Sequence, residues 1–146
     1  MNRLQLYLCL FIFTLISVAC SLSSLFVTAQ TSSAEVSRGK YLVEEIARCS
    51  ECHTPRDSAG NLKNEAWLQG SPIWIKPIAP IQNWADQAPP LAGLPSMTGQ
   101  QIEIVLEQGT GPNGEPLRPP MHRYHMKRED AHAIIAYLKS LPLAPR

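Results

Sequence analysis

Cys49-Ser50-Glu51-Cys52-His53 decides how the rest of the 146-residue chain is read. Two thiols three residues apart, followed at once by an imidazole, form the attachment signature of a c-type haem. The chemistry requires this spacing. Both sulfurs must add across vinyl groups on one edge of a porphyrin, and on a helical turn positions i and i+3 share a face. His53 then falls where it can ligate the iron from below. A bare C-x-x-C could also be a redox dithiol or half of a zinc site. Neither a second C-x-x-C nor an H-x-x-x-H is present to complete a zinc cluster, and no βαβ pattern surrounds the motif.

The four cysteines are Cys9, Cys20, Cys49 and Cys52. The first two lie in an apolar N-terminal stretch. If that stretch is removed, both remaining thiols are committed to the motif and no disulfide framework is left. Residues 1–29 carry one basic residue, Arg3, and no further charge occurs until Glu35. This reads as an export signal, with Val27-Thr28-Ala29 before Gln30 as a cleavage site. Two alternatives stay open: a lipoprotein signal ending at Cys20, and an uncleaved apolar anchor giving membrane association through the N-terminus. All three place the following domain outside the cytoplasm, in a periplasmic setting. Removing a leader that contains Arg3 leaves twelve basic against twelve acidic residues. Zero net charge argues against a nucleic-acid partner, which would need a strongly basic surface.

Residues 30–34 read as a polar linker, and residues 35–146 as a single domain. A first helix is expected from about Glu35 to the haem motif, with Gly39, Leu42, Val43, Ile46 and Ala47 at helical spacing. Ten of the thirteen prolines lie between Pro72 and Pro120. Proline removes a backbone donor and fixes φ, so the middle of the chain should be irregular. Trp67, Trp74 and Trp84 fall there, and some of them are expected to pack on the cofactor face. A second helix is expected over 98–107, opened by a Thr98/Gln101 capping box and carrying Ile102, Val105 and Leu106 as its apolar stripe. The last helix should run from Arg128 to Leu141, with Ala131, Ile134, Ile135, Leu138 and Leu141 buried and Pro142 as its stop.

A second axial ligand could come from Met97, Met121, Met126, His122, His125 or His132. Met121 is favoured, because Pro119 and Pro120 stiffen the loop that carries it. If the sixth position were instead open, the domain would be a haem enzyme or gas sensor.

Taken together, these residues resemble the class I c-type cytochromes over about 35–142. The match lies in Gly39, the motif at 49–53, Pro89-Pro90-Leu91-Ala92-Gly93-Leu94, the Pro-Pro-Met121 loop and Ala136-Tyr137-Leu138-Lys139. The resemblance implies an all-α, cytochrome c-like fold wrapped round one covalent haem c, with a Pro-rich irregular segment. It implies Cys49 and Cys52 as attachment residues and His53 and Met121 as iron ligands. It also implies a Pro89 carbonyl against the His53 ring, and a crossing of Gly39 with Tyr137. Trp84 and Arg118 are weak candidates for the propionates. The function implied is one-electron transfer rather than catalysis. The expected partner is a redox protein: a dehydrogenase, an oxidase or another cytochrome.

Overall fold

The chain divides into two units, Met1–Ala34 and Glu35–Arg146. The computed structural model describes residues 33–143. The leader readings at 1–29, including Cys20 and the Gln30 cleavage site, lie outside the described residues. Ser33 and Ala34, read as the end of a linker, are themselves helical.

The helix α1, residues 33–46, is α-helical to residue 41 and then widens into a π turn, Leu42–Ile46. Leu42 and Val43 point into the core. The helix does not continue to the motif as expected. Arg48 takes a left-handed φ of 50°, which breaks the helix one residue before Cys49. A short helix α2, Ser50–His53, then carries the motif.

The proline-rich middle is irregular, as expected. It contains a 3₁₀ turn, Asn64–Ala66, and two short strands, β1 (Ser71–Pro72) and β2 (Gln87–Ala88). These pair antiparallel with Ser71 opposite Ala88. The helix α3, Gly99–Gln108, has the full capping box: the Thr98 hydroxyl accepts from Gln101 N–H, and the Gln101 side chain accepts from Thr98 N–H. Its buried stripe is Ile102, Val105 and Leu106, and Gly109 ends it in the left-handed region at φ 67°. Gly109 is a normal helix terminator, since glycine takes that conformation without a Cβ penalty.

The helix α4, Arg128–Ser140, has no side-chain cap at Lys127 but places Glu129 and Asp130 in its first turn, where carboxylates favour the helix dipole. It buries Ala131, Ala133, Ile134, Ile135, Tyr137 and Leu138. It packs against both α3 and the π turn of α1. At the α1 crossing, a Cβ on Gly39 would strike the Ala133 carbonyl and lie 2.8 Å from Tyr137 Cβ. Glycine at 39 is therefore a packing requirement. The architecture is all-α apart from the two-residue strands, with the core between α1, α3 and α4.

Candidate functional site

Cys49 and Cys52 sit on one helical turn: Cys49 is its αR N-cap, and Cys52 and His53 follow within α2. His53 N–H donates to Cys49 O at 2.9 Å, which closes the turn. Both thiols are free. Burial raises the Cys49 thiol to about 11, with a backbone bond opposing the shift. Burial also raises Cys52, with Glu51 adding to the effect.

His53 is buried at 6% exposure. Its Nδ1 donates to Pro89 O at 2.7 Å. That bond fixes the tautomer and leaves Nε2 with its lone pair, the form a metal needs. Burial lowers the His53 pKa, and the Pro89 bond offsets part of that shift. The Pro89 contact is the one implied by the sequence resemblance. It depends on two neighbours that the sequence did not reveal. Thr54, 1% exposed, accepts from Leu68 N–H through its hydroxyl at 2.9 Å. Leu68 O in turn accepts from Leu91 and Ala92 N–H at 2.8 and 3.1 Å. This chain of bonds holds the 89–92 segment beside His53, and no periodicity or motif signals it.

Cys49, Cys52, His53 and Met121 all line one cavity of about 560 Å³. Its remaining wall is mostly apolar and includes Ile73, Leu91, Ile102, Leu106, Ile134 and Leu138. Two other sequence candidates, Met97 and His122, also reach it. Met126, His125 and His132 are not among its lining residues. Met126 packs against the core, and His132 lies 3.5 Å from Glu103 on the surface.

The expectation for the tryptophans is not met. No tryptophan is among the lining residues. Trp67 packs against the helical core, and Trp74 is 59% exposed. Trp84 Nε1 is buried without a hydrogen-bond partner. The helices already fill the space beside Trp67, and the 73–86 loop carries Trp74 outward.

The donor set and cavity fit a covalently attached haem. A volume within the range of cofactor pockets is walled by apolar side chains. Two thiols occupy one helical turn, an oriented imidazole sits beside them, and a thioether comes from a different segment. Arg118 is on the wall as well. Among the described residues no group of three or more His, Cys, Asp or Glu is arranged to hold a bare metal ion, and no helix is long and apolar enough to cross a membrane.

A family model for cytochrome c matches residues 36–142. The chain is 31% identical over 124 residues to the fructose dehydrogenase cytochrome subunit of Gluconobacter japonicus, covering 80% of this chain and 24% of that protein. It is 32% identical over 131 residues to the alcohol dehydrogenase (quinone) cytochrome c subunit of Gluconacetobacter polyoxogenes, covering 82% and 27%. A diheme cytochrome c-type protein of Cereibacter sphaeroides is 33% identical over 121 residues, covering 74% and 36%. The chain thus spans about a quarter of the length of the first two relatives, at 24% and 27%.

Proposed function

This chain belongs to the cytochrome c family, and from that premise we propose that it is a single-haem electron carrier serving an exported dehydrogenase. The observation that carries this reading is the convergence of Cys49, Cys52, His53 and Met121 on one apolar cavity, with His53 oriented by Pro89. Cys49 and Cys52 would attach the haem, and His53 and Met121 would hold its iron from two sides. The bound group supplies a one-electron iron couple. The residues of this chain do the rest. The Pro89 carbonyl keeps the imidazole in one orientation and raises its basicity. The apolar wall excludes water. A thioether opposite an imidazole favours the ferrous state and raises the potential. With His53 and Met121 both holding the iron, no place on it would be left for substrate, and the domain would act as a carrier rather than an enzyme. Arg118, on the cavity wall, suits the acidic edge of such a group, whereas Trp84 does not line the cavity.

The dehydrogenase partner is supported by the printed identities of the relatives, whose greater length leaves room for domains that this chain does not match. One haem is supported by the single C-x-x-C-H of the sequence. Export is supported by the apolar leader, whose one charged residue is Arg3, and the N-terminus of the mature protein should be Gln30. Lipid on Cys20, or an intact Met1, would select the lipoprotein or anchor reading instead.

The test of the site is direct. Denatured protein should retain its haem through acid extraction, and Cys52→Ala should give little holoprotein. Met121→Ala should remove the ferric sulfur-to-iron charge-transfer band and open the iron to cyanide, while Met97→Ala and Met126→Ala leave the band in place. Loss of the band in Met97→Ala alone would move the ligand to the other methionine of the cavity.

A further inference from the structure

The proline-rich segment between His53 and Pro89 is folded back on itself. Its base is closed by the β1–β2 pair and by Ile73 N–H donating to Asp86 O at 2.9 Å. Ile73 on one arm and Ala85 and Gln87 on the other line the cavity. The two arms are tied to different segments.

The first arm grips the attachment turn. Trp74 Nε1 donates to Glu51 O at 3.2 Å. The Arg56 guanidinium stands over the Trp74 ring at 4.9 Å and holds the Glu51 carboxylate at 2.5 Å. The second arm grips the turn that carries Met121. Arg118 Nε donates to Asn83 O at 3.2 Å, and its Nη2 donates to Trp84 O at 2.9 Å. Ala85 N–H donates to Pro119 O at 2.6 Å. Met121 N–H donates to Arg118 O at 3.1 Å, so the residue gripping the arm also opens the Met121 turn.

Pro119 and Pro120 have no N–H to offer. The turn is therefore fastened to the 83–85 arm through the Pro119 carbonyl and the Arg118 side chain. A planar guanidinium can reach two carbonyls at once, which an ammonium cannot match in geometry.

We propose that residues 71–88 form a brace coupling the haem-attachment turn to the Met121 turn, with Arg118 and Trp74 as positioning residues that hold the Met121 thioether against release. The proposal rests on Met121 being the axial ligand. It goes further in assigning the hold on Met121 to a segment whose other arm is bonded to the attachment turn.

The experiment uses purified ferric holoprotein and reads two quantities: the sulfur-to-iron charge-transfer band and the rate of cyanide binding. The unmutated protein must show the band, and its absence would overturn the ligand reading itself. With the band present, Arg118→Ala should bind cyanide about tenfold faster, the factor expected for two lost carbonyl bonds. Arg118→Lys should fall between the two. Trp74→Phe keeps the ring but loses the bond to Glu51, and should speed cyanide binding about threefold although Trp74 has no bond to residues 118–121. Ile78→Ser, at the fully exposed tip of the loop, should change nothing. Unchanged rates in Arg118→Ala would overturn the brace. So would a fast Arg118→Ala beside an unchanged Trp74→Phe, since Arg118 would then be only a local anchor. If Arg118→Ala yields no holoprotein, the Arg118→Lys and Trp74→Phe pair makes the same decision.

Discussion

Tyr137 carries a buried hydroxyl through the helix crossing and keeps it paired. It is 6% exposed and donates to Glu44 Oε1 at 2.5 Å. Burial first, and the Glu44 bond second, push its pKa up to about 12 from an ordinary 10.0, with a Trp67 hydrogen bond opposing. A tyrosine whose folded pKa lies above its unfolded value is held neutral. Its contribution is complete below pH 10.0 and is lost as pH rises toward about 12. Tyr137→Phe should therefore cost about 1–2 kcal/mol at neutral pH, the worth of a hydrogen bond to a carboxylate. Urea midpoints for protein and variant, taken at a series of pH values, should converge across that alkaline window. A gap that stays constant through it would show that the hydroxyl contributes nothing through its protonation.

At the scale of elements, the α1–α4 crossing at Gly39 leaves no room for a Cβ. Gly39→Ala places a methyl against the Ala133 backbone, which cannot move without shifting α4. We expect a loss of about 3 kcal/mol or more, at the upper end of overpacking costs. Gly60→Ala meets nothing within 4 Å and strains only its φ of 88°, so it should cost about 1 kcal/mol. Thermal unfolding of the two variants compares them, and equal losses would refute the packing argument. This crossing of Gly39 with Tyr137 was implied by the resemblance to the class I c-type cytochromes. Legible in the sequence itself were α3, whose cap and stripe are local, and α4, whose apolar face repeats at helical spacing. The segment between α1 and α3 was not. Arg48, Leu68, Asn83 and Leu94 all take positive φ without being glycine. Tertiary bonds impose such conformations, as at Leu68, which gives its N–H to Thr54 and its carbonyl to Leu91 and Ala92. Periodicity carries no trace of those bonds. The three tryptophans misled for a related reason. Composition says that large rings need a surface to cover, but Trp67 finds it on the helical core, and the closure of the loop at Ile73–Asp86 governs Trp74 and Trp84.

At the scale of the whole molecule, the question is what orients an encounter. If residues 1–29 are removed, the remaining chain is neutral by formal count, so long-range steering would be weak and local charge would have to act. The sequence groups Arg118, Arg123, Lys127 and Arg128 around Met121. The structure thins that group. Arg128 is paired with Glu103 and Glu107 at 3.3 Å each. Arg118 keeps its charge but spends donors on the brace. Arg123 and Lys127 have no ion-pair partner among the described residues. Arg123 follows His122, which lines the cavity beside Met121. These two cations should therefore mark where an anionic partner approaches. Oxidation of the ferrous protein by ferricyanide, a small anion, tests this without a protein partner. The rate should fall as salt rises, because exposed charges are screened beyond about 8–10 Å at moderate ionic strength. Reversing both residues, Arg123→Glu with Lys127→Glu, should slow the reaction at low salt and flatten or invert its salt dependence, with the optical spectrum unchanged. Glu103→Gln with Glu107→Gln should do the opposite, freeing Arg128 and steepening the dependence. If the reversed and unmutated proteins share one salt slope, the cations near Met121 do not steer the encounter, and docking must be governed by another face.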